Sequence, residues 1–184
     1  MPNDPVDRTA ATEAFEKFEA ALQAEPAVNA TDGTVEMVVA RKGGGVHEVL
    51  QKGQVTIEEG LVGDRWHLEK DPARDSQITL MRAGVVRAIN DGVLSEKPGD
   101  NFQVAFDLSE DALPAGTRLK MGEALFEVTA EPHTGCKLFV ERFGKDAMRW
   151  VNSKGPPHRR LRGVHCRVVE AGTVCPGDSI ERVS

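Results

Sequence analysis

The sequence predicts a mainly β domain with a few helices, an α+β arrangement whose short strands curl into a closed barrel. Three observations carry this. From Thr34 onward the chain is a series of short β-branched runs separated by glycine-containing turns. One pair of runs is joined tightly enough to read as a hairpin. The residues before Thr34 instead show helical spacing.

That first segment, Arg8 to Ala24, places Phe15, Phe18 and Leu22 at i, i+3 and i+7 among several alanines. Pro26 ends it, and Asn29 to Gly33 read as a linker. The strand candidates begin with Val35 to Ala40 and the short Val55-Thr56-Ile57. Gly43-Gly44-Gly45 lacks the lysine and hydroxyl residue of a phosphate loop and reads as a flexible loop. Gln77 to Met81 is the next strand, followed by a helix from Arg82 to Asn90 that stops near Gly92. Phe102 to Phe106 alternates apolar and polar residues, as a half-buried strand does. Thr117 to Met121 and Leu125 to Thr129 flank Gly122-Glu123 and form the hairpin. Cys136 to Val151 has helical character around Gly144. Gly163 to Val169 is a strand, Ala171-Gly172 a turn, and Ser179 to Val183 the closing strand.

The 184 residues suit one domain with a short extension. The formal net charge of −6 argues against broad nucleic-acid binding. No stretch approaches the roughly 20 apolar residues that cross a bilayer, so no membrane association is expected. Met1 to Arg8 lacks the pattern of a secretory leader, and a cytoplasmic location follows as an expectation. Three cysteines do not make a disulfide framework.

Four segments could carry chemistry. In Pro132-His133-Thr134-Gly135-Cys136-Lys137, a thiol lies between a strand and a helix. The helix dipole and free N–H groups favour a thiolate there, and His133 and Lys137 could add positive charge. Such a thiolate is a nucleophile or a soft metal ligand; the plain alternative is a buried structural cysteine. Cys166 alternates with Val164 and Val168 and reads as a core residue, whereas Cys175 lies in a turn. No cysteine–histidine spacing matches a structural zinc site.

The second segment is Gly60 to His67, where Gly63, Asp64 and Arg65 could form an anion receptor or a solvated turn. The third is Pro98 to Phe102, in which Asn101 could cap a turn or read the edge of a heterocycle. The fourth is the basic run Lys154 to Gly163, suited to phosphate or to solvent exposure.

In this order the segments resemble the MOSC domain, named for the C-terminal domain of molybdenum cofactor sulfurase. The match runs through Gly60-Leu61-Val62-Gly63-Asp64-Arg65, Gln77 to Met81, Gly99-Asp100-Asn101 and Pro114 to Leu119. It continues through Pro132 to Cys136, Arg142-Phe143-Gly144, Leu161-Arg162-Gly163, Ala171 to Val174 and Pro176-Gly177-Asp178. The resemblance divides the chain into a helical extension and linker, 1–33, and a MOSC domain, 34–184. It implies a MOSC-type closed β-barrel and a molybdenum cofactor (molybdopterin), with Cys136 as the metal ligand or sulfur carrier. Gly63, Asp64, Arg65, Asn101, Arg160, Arg162 and Gly163 would hold the cofactor, with Arg65, Arg160 and Arg162 meeting its phosphate. His133 and Lys137 would assist Cys136 in catalysis.

Family enzymes of this kind reduce N-hydroxylated compounds. The resemblance therefore implies a small-molecule substrate and an external electron donor. The alternative is a persulfide carrier with a sulfur donor or acceptor protein, and a third reading is a thiol-containing binding domain for a small anion or nucleic acid. The sequence shows no pyridoxal-phosphate aminotransferase-like domain, and hence no pyridoxal phosphate site, and no ferredoxin-like cysteine cluster.

Overall fold

A computed structural model describes residues 5–153 and 158–183. The barrel is built from β1 (Asp32–Gly43), β5 (Ile78–Arg82), β6 (Phe102–Ala105), β7 (Arg118–Met121), β8 (Ala124–Val128), β9 (Val164–Glu170) and β11 (Ser179–Val183). The strand order β11-β7-β8-β9-β5-β6-β1, with β1 pairing back onto β11, closes a ring of seven strands. Among the described residues only β5 and β6 pair in parallel. Closure is short: Asp32, Gly33 and Thr34 lie opposite Glu181, Ile180 and Ser179.

Alternation explains the interior. Val164, Cys166 and Val168 of β9 point inward with Phe102, Phe126, Leu119, Met121, Ile78 and Leu80. β1 breaks strict alternation because its register shifts between Val35 and Met37. Val38 and Val39, on opposite faces of the strand, are both buried.

Two sequence expectations change. Gly43 to Gly45 are not a loose loop but the turn of a hairpin between β1 and β2 (Val46–Leu50). β6 is not half-exposed: Gln103 is fully buried and its amide donates to the Ser95 carbonyl at 2.6 Å. A second small sheet joins β3 (Gly53–Thr56), β4 (Gly60–Leu61) and β10 (Gly172–Val174).

Three helices share a second apolar core: α1 (Pro5–Ala24), α2 (Ala83–Ile89) and α3 (Lys137–Val151). Leu22 of α1 is buried there, and Phe18 stacks on Trp150 with ring centroids 5.3 Å apart. Glu19 accepts from the Trp150 indole at 2.8 Å and pairs with Arg159. Among the described residues no helix is long and apolar enough to cross a membrane.

Candidate functional site

The segment between β8 and α3 carries the candidate thiol. Cys136 is the N-cap of α3, with extended backbone (φ −107°, ψ 178°) and its carbonyl accepting from Phe139 N at 3.0 Å. The thiol is exposed. What holds it in place is a fold-back of α3. Gly144 leaves helical geometry (φ 85°, ψ 171°), so the second half of the helix returns against the Cys136 loop. Gly135 N donates to Asn152 Oδ1 at 3.1 Å, and a Cβ at Gly135 would run into Met148 Sδ.

Cys136 opens onto a cleft of about 260 Å³ lined by Arg41, Arg65, Arg142 and Arg162 and by His47, His133 and His165. Four guanidinium groups thus gather in one place on a chain whose net charge is −6. They arrive from four separate segments of the chain, and polar contacts within the protein fix three of them.

Asp64 anchors Arg41. Its Oδ1 and Oδ2 accept from Arg41 Nη2, Nε and N at 2.8–2.9 Å and from Trp66 N at 2.9 Å. Burial opposes the Asp64 charge, but these bonds outweigh it and hold the carboxyl below its usual value. Asn101 completes the anchor: its amide donates to Asp64 and to the Val39 carbonyl and accepts from Thr79 and Arg41. Asp64 and Asn101 therefore hold the wall of the cleft. Their polar atoms are engaged in hydrogen bonds within the protein.

Arg142 spans the mouth. It donates to the Lys97 and Gly45 carbonyls at 2.7 Å and lies over the His47 ring. Burial lowers the His47 pKa. Arg65 is exposed and makes no ion pair among the described residues.

The floor is the buried pair Arg162–Asp100, 2.6 Å apart, with Arg162 stacked over Phe139 at 5.0 Å. His133 Nε2 lies 3.5 Å from the other Asp100 oxygen. Complete burial pushes the Asp100 carboxyl up, Arg162 only partly offsetting it. Burial, with the charge of Arg162, pushes His133 far down, so its imidazole is neutral. Three atoms of this cluster are buried without a hydrogen-bond partner: His133 Nδ1, Asp100 Oδ1 and Arg162 Nε. Orphaned polar atoms gathered in one place mark somewhere that water or a ligand completes the bonding.

The remaining expected site residues lie elsewhere. Lys137 projects into solvent, 92% exposed and 3.9 Å from Glu141, because the first turn of α3 turns that face outward. Arg160 donates to the Leu113 carbonyl at 2.6 Å and lines a second cleft. That cleft meets the first along a shared wall of Pro132, His133, Thr134 and Arg162. Gly163 lets the chain pass β5: any Cβ there would meet the Leu80 carbonyl. Gly63 accepts from Lys42 at 3.0 Å beside the cleft. Of the basic run, Lys154 to Pro157 lie outside the described residues. Cys166 is buried in the barrel, where burial pushes its thiol up.

A match to the MOSC domain family spans residues 67–181 and includes Asp100, His133, Cys136 and Arg162. The chain belongs to the MOSC domain family. Members of this family are associated with molybdenum cofactor binding. The fold of this MOSC domain resembles that of the YuaD protein from Bacillus subtilis, at 20% identity and TM-score 0.63, covering 83% of this chain and 96% of that one. It also resembles YiiM from Escherichia coli, at 19% identity and TM-score 0.56, covering 82% and 70%. YiiM from Geobacillus stearothermophilus is similar at 17% identity and TM-score 0.54, covering 83% and 75%. No curated protein matched the sequence.

Sequence reasoning missed Arg41, His47, Arg142 and His165. For His165 a signal was present: with Val164, Cys166 and Val168 facing inward, alternation turns His165 out of the core.

Proposed function

We propose that this MOSC domain holds a molybdenum cofactor in the Cys136 cleft and works as a cytoplasmic reductase of N-hydroxylated or similar small compounds, with electrons from an external donor protein. The observation that carries the reading is one exposed thiol at the mouth of an arginine-lined cleft whose floor contains buried, unpartnered polar atoms. A thiolate there is a soft ligand for molybdenum. Arg41, Arg65, Arg142 and Arg162 suit a phosphorylated, anionic ligand, and Arg binds phosphate in a fork that Lys cannot match. Among the described residues no cluster of three or more His, Cys, Asp or Glu is placed to hold a bare metal ion. Cys136 would then be the sole protein ligand of a metal that brings its other ligands with it.

The bound group supplies two-electron redox chemistry. The residues of this chain do the rest. The N-cap position at the start of α3 presents the Cys136 thiol to the cleft. Asp64 and Asn101 keep Arg41 extended into the cleft, and Arg142 ties the β1–β2 turn to the Lys97 loop across its mouth. His133 and Phe139 shield the Arg162–Asp100 pair from solvent, which strengthens its field.

The test is molybdenum and pterin content of wild type and Cys136→Ser, both purified from a cofactor-replete host. Near-stoichiometric molybdenum lost on substitution supports the reading; none in either protein removes it. A second reading, a persulfide carrier, is favoured by the exposure of Cys136 alone. It predicts a mass gain of one sulfur on Cys136, removable by reductant.

A further inference from the structure

We propose that His165 is the proton donor of the Cys136 cleft, an assignment that rests on the reductase reading. His165 sits on β9 and lines the cleft alongside Cys136 and Arg162. Its Nδ1 lies 3.2 Å from the Glu131 carbonyl. A carbonyl only accepts, so that bond fixes the proton on Nδ1 and leaves Nε2 as the lone-pair nitrogen. Nε2 has no protein partner among the described residues. One ring nitrogen is thus oriented by the backbone while the other is free to exchange a proton, the arrangement expected of a general acid or base.

The surroundings suit the task. The neutral His133 ring packs on His165 with centroids 4.4 Å apart. The charged groups facing it are Asp100, from the loop before β6, Glu131, from the loop after β8, and Arg162, from the loop before β9; Thr79 lies opposite on β5. Burial, and to a lesser extent the Arg162 charge, disfavours the imidazolium and lowers the His165 pKa, while the Glu131 bond and the Asp100 and Glu131 charges oppose that fall. His165 is neutral at rest, and once protonated it is a stronger acid than free imidazole.

The step balances as follows. An N-hydroxylated amine takes up two electrons, which originate in a reduced external redox protein, and two protons. His165 first takes a proton from solvent on Nε2; the imidazolium gives that proton to the hydroxyl oxygen, the N–O bond breaks with its electron pair going to oxygen, and water leaves. The two electrons restore the pair on nitrogen, which takes the second proton from solvent. His165 is thereby returned to its neutral resting form.

The experiment compares wild type and His165→Gln, with molybdenum content, nitrogen-15 imidazole spectra and the pH profile of hydroxylamine-class reduction as readouts. Expected are equal molybdenum in both proteins and a wild-type His165 signal with Nδ1 protonated and Nε2 bare. Turnover should rise as pH falls through the region below the ordinary imidazole value. His165→Gln should lose that rise and fall about 100-fold or more in kcat. Molybdenum retained with an unchanged pH profile in His165→Gln overturns His165 alone, as does a wild-type spectrum with the proton on Nε2. A wild type that holds no molybdenum overturns the reductase reading, and with it the reaction His165 would serve.

Discussion

The three cysteines share a side chain and differ only in surroundings. Cys136 is open at a helix start, Cys166 is sealed in the barrel and Cys175 is half-buried. Alkylation of the native protein should therefore modify Cys136 first and leave Cys166 untouched until the chain unfolds, as peptide mapping would show. Asp100 is the other decisive residue. Asp100→Ala strands the Arg162 guanidinium in a buried site, and removing one partner of such a pair costs about 3–5 kcal/mol. Chemical denaturation of the variant would measure it. His133 sets a pH dependence. Its folded pKa lies far below the ordinary 6.5, so below that value the unfolded chain binds a proton that the folded one refuses. The neutral imidazole's contribution is complete above pH 6.5 and is lost as pH falls below it. The melting temperature of wild type should drop on acidification toward about pH 5, and more shallowly in His133→Gln.

Among the elements, α3 depends most on one residue. Gly144 adopts a conformation essentially restricted to glycine, and nothing lies within 4 Å of the position a Cβ would take. Gly144→Ala should cost about 1–3 kcal/mol from backbone strain alone and loosen the Met148 and Asn152 contacts to Gly135. Faster Cys136 alkylation in that variant would report the loosening. Legibility also divides at this scale. β7, β8, β9 and β11 could be read from sequence because their residues alternate or are β-branched, and β5 because it is a short apolar run, buried on both faces. β2 could not: its residues are largely exposed on both faces, leaving no apolar stripe to read. Gln103 misled because burial on both faces does not show in an alternating pattern. Cys136 was legible from its place between a strand and a helix. Arg41 and Arg142, 101 positions apart in sequence, become neighbours only through the β1–β2 turn and the path of α3, which no local spacing encodes.

For the whole molecule, two cores are joined by one wall. The barrel interior and the helical core meet along β5 and α2, where Leu80 faces one and Met81 the other. α1 belongs to the second core through Leu22, Phe18 and Glu19, and it braces α3, which carries the thiol. Leu22→Ala should destabilise by about 2–5 kcal/mol and shift Trp150 emission to the red as the helix loosens. Closure of the ring has a temporal consequence. Its seam joins residues 32–34 to residues 179–181, so the barrel cannot close until residues 179–181 have left the ribosome. Until then the inward faces of β1 and β6 have no finished interior to enter. Such a long-range seam places refolding in the millisecond-to-second class of non-local β topologies. It also makes the nascent chain, more than the finished protein, the form most in need of protection from aggregation.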